Sequence, residues 1–350
     1  MARSRTYIAT PPGATIKEQL IDRGMSQKEF ASRMDMSEKH ISKLINGEVS
    51  LTPDVAMRLE MVLGVPARFW NNLESIYREK LQAVQAENAM DEDVEIAKKF
   101  PYKEMADNGW VPAASQANEK VINLRKYFEV VRLSMLHVPL IPGIACRRQA
   151  VSEKADFALL AWAQKAKLEA RDIKTKPIDL QKLTANIPTI RKMSLMPPEE
   201  FCPFLCRMLA DCGIALVFLP HIGGSFLHGA TFYDKDKVVI GLTVRGRDAD
   251  KFWFSLFHEI AHVLLGHINN PDGTTDTEEA AADAFARSTL IPDEEFKNFA
   301  VSNRIDASSI RDFAASVEID VGIVVGRLQK EGYLNYNRFN SLKTKYDISA

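Results

Sequence analysis

The chain has 350 residues, 46% of them hydrophobic and 26% charged, which is the make-up of an ordinary globular protein with two or three domains. A formal net charge of -1 excludes bulk electrostatic attraction to nucleic acid or membranes, so DNA binding would have to come from a local patch. Four cysteines (Cys146, Cys202, Cys206, Cys212) form no disulfide framework, residues 1–12 lack the apolar core of a secretion signal, and no apolar run is long enough to span a bilayer; the expected location is the cytoplasm, with no membrane partner.

Residues 14–75 predict a set of short helices. Apolar residues recur at helical spacing (Ile16, Leu20; Phe30, Ala31, Met34; Ile41, Leu44, Ile45; Val55, Leu59, Val62, Leu63), and turn signals at Gly24, Asn46-Gly47 and Gly64 separate them. Ser26 and Ser37 sit where N-caps belong, and Thr52-Pro53 pairs an N-cap with a proline at the first helical position. Residues 73–99 predict a charged connecting helix. Two prolines and a glycine make 100–112 a domain boundary, and helical patterns follow at 118–136, 153–171 and 197–212. The texture then changes. Residues 214–219 are a short apolar strand, and 229–233 with 238–242 flank a polar turn as a hairpin. A helix over 249–266, a second over 276–290 and a mostly helical tail with turns at Gly322 and Gly332 complete the chain. The fold class is therefore mainly α with a small β-sheet (α+β), divided at 12–75, 76–190, 191–292 and 293–350.

The most informative pattern is His258-Glu259-Ile260-Ala261-His262. Two histidines four apart on a helix share a face and can share one metal ion, with the glutamate beside them placed to take a proton from water. Phe252, Trp253, Phe254, Leu256 and Phe257 before the motif and Val263, Leu264 and Leu265 after it make this a buried helix. A metal then accounts for polar groups that would be costly to bury alone. A catalytic zinc needs a third protein ligand, and the acidic, alanine-rich run after Thr277 supplies one. Glu279 can ligate, and Asp283, on the same face, can accept the free ring N–H of a ligating histidine and fix its tautomer. Glu278 lies about 100° round the helix and is the weaker choice. Few chemistries use such a site, and peptide hydrolysis is the commonest: the metal acidifies water and polarises the carbonyl, while Glu259 would remove the proton and pass it to the leaving amine. The hairpin at 229–242 could offer an edge strand to an extended peptide. His228 and Tyr233 are each as consistent with a structural role as with a transition-state donor, and His267 reads as a helix-end residue. Cys202, Cys206 and Cys212 allow a second metal site, although Phe201, Phe204, Leu205 and Met208 around them look like core.

Near the N-terminus, two short helices joined by a turn fit residues 25–31 and 36–47, a helix-turn-helix. The second would bury Ile41, Leu44 and Ile45 and present Ser37, Glu38, Lys39, His40, Ser42, Lys43 and Asn46 to the major groove of double-stranded DNA. Gln27, at the start of the first, would reach phosphate or buttress the second helix. With Glu29, Glu38 and Glu48 interleaved, one copy binds weakly, so a homodimer on two half-sites is expected.

Both halves resemble known families. The stretches "PPGATIKEQL", "MSQKEFASRM", "MSEKHISKLINGE" and "LTPDVAMRLEMVLGVPARFW" look like the XRE-type helix-turn-helix of HigA-like antitoxins. "HGATFYDKDKVVIGL", "FWFSLFHEIAHVLLGH" and "EEAAADAFARSTLIP" resemble the ImmA/IrrE zinc metallopeptidase family, and "IDVGIVVGRLQKEGYL" the tail that follows in fused proteins. The resemblance implies an XRE-type DNA-binding domain over 12–75, a helical connector, a zincin-like core over 191–292 and a helical extension. In that family the third ligand is a Glu followed four residues later by Asn or Asp, as Glu279 and Asp283 are; the usual Glu-Ala-Asn or Glu-Ala-Asp is here Ala281-Ala282-Asp283. It further implies an autoregulating, antitoxin-like regulator carrying a zinc-dependent endopeptidase that cuts a regulatory protein or itself. Partners would be its own operator and a cognate toxin or partner regulator. The alternative is an antitoxin whose metallopeptidase-like half is a non-catalytic sensor or toxin-binding scaffold.

Overall fold

The caps in the first 70 residues set the helix boundaries of the computed structural model, which describes residues 2–3, 7–88, 90–137, 153–223, 229–243, 248–269, 273–301 and 305–346. The chain divides into two units, Met1–Glu95 and Ile96–Ala350.

In the first unit, α1 (Gly13–Asp22), α2 (Gln27–Arg33), α3 (Glu38–Asn46), α4 (Pro53–Leu63) and α5 (Ala67–Asn88) follow one another through short turns. Ser26, Ser37 and Thr52 accept from the backbone N–H groups of Glu29, His40 and Val55 at 3.2, 3.2 and 3.3 Å, satisfying amides that a helix start leaves unpaired. Gly47 (φ 75°) and Gly64 (φ 67°) end α3 and α4 in the left-handed region. Ile16, Phe30, Met34, Ile41, Leu59 and Trp70 meet in one core, and the Trp70 indole donates to the Val65 carbonyl at 3.1 Å. Two short antiparallel strands, β1 (Ala2–Arg3) and β2 (Ile8–Ala9), precede α1. Ala9 packs with Tyr77 and Val84 of α5.

α6 (Met90–Ala97) spans the division. The second unit holds α7 (Tyr102–Asp107), α8 (Ala117–Phe128), α9 (Glu153–Ala170), α10 (Leu180–Lys192), α11 (Pro198–Ala210), β3 (Ile214–Phe218), β4 (Gly229–Asp234), β5 (Lys237–Leu242), α12 (Ala249–Leu264), α13 (Asp276–Leu290), α14 (Asp293–Val301), α15 (Ala307–Ser316) and α16 (Val321–Lys330). The sheet order is β3-β5-β4. β3 runs parallel to β5 with Ile214 opposite Val238, and β4 runs antiparallel to β5 with Thr231 opposite Ile240. The core extends from Leu183 and Ile190 of α10 through the sheet and α12 to Val324 and Leu328 of α16, so helices before and after the sheet share it.

α12 is held at its start by the end of the described chain. Its N-cap residue, Asp248, makes no side-chain cap. Instead the Ala249 N–H donates to the Thr344 carbonyl at 2.9 Å, Trp253 Nε1 donates to the Tyr346 hydroxyl at 2.9 Å, and Lys343 Nζ pairs with Asp250 Oδ2 at 2.8 Å in a buried contact. Phe201, Phe252 and Trp253 close round the Tyr346 ring.

Four expectations need correction. Residues 100–112 are not a boundary: Pro101 opens α7, Gly109 (φ 69°) follows it, and Phe100 packs on Phe128 and Phe157 with ring centroids 5.0 and 4.7 Å apart. The helix expected to reach 136 stops at Phe128, because Glu129 turns left-handed (φ 55°). α10 has no counterpart among the expected helices; Pro188 argues against one, yet Leu183 and Ile190 are apolar on one buried face. Gly322 lies in the first turn of α16, where its N–H donates to Asp320 Oδ1 at 2.8 Å.

α1 and α3 touch backbone to backbone, since a Cβ on Gly13 would stand 2.0 Å from the Ile45 carbonyl oxygen. Backbone cannot swing aside as a side chain can, so Gly13→Ala is expected to destabilise the first unit by about 1–3 kcal/mol. Urea titration followed by circular dichroism reads this as a lower midpoint; an unchanged midpoint would mean the helices part freely.

Candidate functional site

α12 is buried on nearly every side, with Phe252, Trp253, Leu256, Phe257 and Ile260 in the core. His258, Glu259 and His262 interrupt this apolar surface in the second half of the helix, and Glu259 and His262 are 4% and 0% exposed. α13 packs against α12. Its start is a capping box in which Thr275 Oγ1 accepts from Glu278 N at 3.3 Å and Glu278 Oε2 accepts from Thr275 N at 2.7 Å. That commits the Glu278 carboxylate to the helix end and leaves Glu279, one position on, to face α12.

Three ligand-type atoms converge. His258 Nε2 and His262 Nε2 are 3.0 Å apart, His258 Nε2 is 3.3 Å from Glu279 Oε2, and His262 Nε2 is 3.5 Å from Glu279 Oε1. A tetrahedral ion with bonds of about 2.0–2.1 Å sets its ligand atoms about 3.3 Å apart. Among the described residues this is the one group of His, Cys, Asp or Glu able to hold a metal. Glu279 Oε2 is buried without a hydrogen-bond donor, as an atom awaiting a cation would be. The residues present therefore fit a metal ion.

The surrounding contacts hold these groups still. Asp283 Oδ1 accepts from His258 Nδ1 at 2.8 Å, and His262 Nδ1 lies 3.0 Å from His267 Nδ1. Thr231 Oγ1, on β4, donates to Glu259 Oε2 at 2.5 Å, and Thr274 Oγ1 donates to Glu279 Oε1 at 2.5 Å. β4 comes this close because Gly229 has no side chain; a Cβ there would sit 2.6 Å from Glu259 Oε1.

The electrostatics follow from burial and proximity. Burial pushes the Glu259 carboxyl up to about 7, with Glu279 adding to it while His258 and Thr231 pull the other way. Burial resists charge on His258, but Asp283 and Glu279 outweigh it and raise that imidazole to about 10. His262 is driven down to about 4 by burial and by the charge on His258. Glu279 is lowered: burial opposes this, and the adjoining His258 ring together with the Thr274 hydrogen bond overcomes it.

Gly229, Thr231, Thr274 and the His267 contact were not singled out from the sequence. Small and hydroxylic residues on a strand or before a helix carry no periodic signal, and only the fold brings them to the motif. Tyr233 is 40% exposed on β4, and His228 lies outside the described residues. Cys202 and Cys206 are on α11, Cys212 follows it, and all three are free thiols in no metal-holding group, while Cys146 lies outside the described residues. Burial raises the thiols of Cys202 and Cys206 to about 11.

In the first unit, α3 presents Ser37, Glu38, Lys39, Lys43 and Asn46 to solvent, with Gln27 exposed at the start of α2. His40 and Ser42 are half-buried, and so is Ile45, while Ile41 and Leu44 lie in the core. No ion pair among the described residues neutralises Lys39 or Lys43 within the chain.

Among the described residues Thr231 is the one hydrogen-bond donor to the buried Glu259 carboxylate, so Thr231→Val leaves that oxygen unsatisfied. A loss of about 1–3 kcal/mol is expected in the urea stability of the metal-free chain; a variant as stable as the parent would mean the hydroxyl does not hold Glu259.

Two family models match the chain. A helix-turn-helix model covers residues 16–70, and a model of the IrrE N-terminal-like domain, a peptidase family, covers residues 224–328. An uncharacterized HTH-type transcriptional regulator, YddM, of Escherichia coli (strain K12) is 32% identical over 80 residues, 23% of this chain and 81% of that protein. Among solved structures, an addiction module antidote protein of a HigA family from Coxiella burnetii is 26% identical over 24% of this chain and 94% of that one, with a TM-score of 0.22. The chain thus belongs to the HTH-type, DNA-binding regulators, with an XRE-type helix-turn-helix at its N-terminus and an IrrE-like domain towards its C-terminus.

Proposed function

We propose that this chain is an autoregulating, antitoxin-like regulator that reads its operator as a homodimer and carries a zinc-dependent endopeptidase that cuts a regulatory protein or itself. The observation that carries the peptidase reading is the convergence of His258, His262 and Glu279 on one point, with Glu259 pinned beside them by Thr231. His258, His262 and Glu279 would hold the zinc, and Asp283 orients His258. Bound there, zinc supplies a Lewis acid that acidifies water and polarises a carbonyl.

Glu259 does the proton work. Thr231 occupies Oε2, so Oε1, beside Gly229, is the atom that accepts a proton from water and returns it to the leaving amine. β4 has β5 on one side and no other strand on the other among the described residues. An extended peptide added along β4 would run past Thr231 and so past Glu259. The antitoxin part rests on the resemblance of residues 12–75 to HigA-like antitoxins, and its protein partner would be a cognate toxin. On DNA, Gln27, Ser37, Glu38, Lys39, His40, Ser42, Lys43 and Asn46 form the reading face, with Lys39 and Lys43 supplying the positive charge.

Glu259→Gln is expected to keep its zinc and lower cleavage of the partner regulator, or of the chain itself, by roughly 10²–10⁴-fold, while His262→Ala loses the metal. Metal analysis and a cleavage time course check both. Zinc bound with no cleavage by the parent chain would leave a sensor or scaffold; a Glu259→Gln variant as active as the parent would end the peptidase reading. On DNA, Lys39→Ala combined with Lys43→Ala is expected to weaken operator binding and flatten its salt dependence by about two counterions. An unchanged salt slope in a fluorescence titration would remove these lysines from the interface.

A further inference from the structure

His262 is fully buried, with Nε2 turned to His258 and Glu279. For Nε2 to offer a lone pair, the neutral imidazole must carry its proton on Nδ1, and that N–H needs an acceptor. The atom opposite it is Nδ1 of His267, at 3.0 Å. Leu265 caps the C-terminus of α12, and Gly266, at φ 75°, reverses the chain at once in the left-handed region. That reversal returns the next side chain, His267, to the helix it has just left.

We propose that His267 is the positioning residue of His262: its Nδ1 accepts the His262 Nδ1–H, fixing the tautomer and the ring plane that aim Nε2 at the metal. This rests on the metal reading above. The hydrogen bond also sets the tautomer of His267, whose own proton must then sit on Nε2. The two ligating histidines are therefore oriented differently. His258 leans on a carboxylate, Asp283, and His262 on a neutral ring. A neutral acceptor there adds no negative charge to a site that already holds Glu259 and Glu279.

The test uses the full-length, metal-stripped chain, with zinc and cobalt(II) affinities measured by competition with a chromophoric chelator. His267→Leu keeps bulk and removes the acceptor, and is expected to weaken metal binding by about 10–100-fold. His267→Asn places an amide oxygen on the same carbon that bears Nδ1, and is expected to restore affinity close to that of the parent chain. Nitrogen-15 NMR of the zinc-loaded parent should show His267 protonated on Nε2 alone. A His267→Leu variant with parental affinity, a His267→Asn variant as weak as His267→Leu, or a proton on His267 Nδ1 would each overturn the assignment. If the parent chain takes up neither metal, the metal reading falls with it; parental uptake with an unaffected His267→Leu variant removes only the role of His267.

Discussion

Burying two imidazoles and two carboxylates side by side in an apolar helix pair is the constraint on which the second unit depends. Each group is expensive to remove from water unless it meets a counter-charge or a hydrogen bond. Every neighbouring element contributes to meeting that demand. β4 supplies Thr231, the turn before α13 supplies Thr274, α13 supplies Asp283, and the reversal after α12 supplies His267. Glu279 Oε2 has no hydrogen-bond donor, on the side facing the histidines. The site is thus a cluster of buried polar groups held at its rim by hydroxyls, a carboxylate and a ring.

The first unit obeys a different economy. Its core residues are ordinary, and its definition comes from helix ends: serine and threonine caps at the starts, left-handed glycines at the stops, and Gly13 where α1 meets α3. Rigid ends fix the rotation of α3, and rotation decides which residues meet solvent. Ile41 and Leu44 face inward, so Lys39 and Lys43 face outward.

How much was legible in the sequence depended on whether the signal was local. The caps at Ser26, Ser37 and Thr52, the hairpin round residues 234–237, and both helices of the metal group follow from short patterns, and they lie where those patterns put them. Signals that needed a distant partner were lost. The prolines near residue 100 suggested a break because nothing local says that Phe100 will meet Phe128 and Phe157. At the site, the HExxH spacing announced His258, Glu259 and His262, whereas Gly229 and Thr231 became visible only when β4 was laid against α12.

The tie between α12 and residues 343–346 bears on the order of assembly. Trp253 and Tyr346 are 93 positions apart, as are Asp250 and Lys343. At about 5–20 residues per second, the ribosome needs roughly 5–20 s to cover that span. Throughout that interval the first amide of α12 and the ring pocket of Trp253 have no partner. A nascent chain therefore displays its helix-turn-helix well before the helix bearing His258 and His262 can be seated, and the helix-turn-helix and the IrrE-like domain mature at different times from one message.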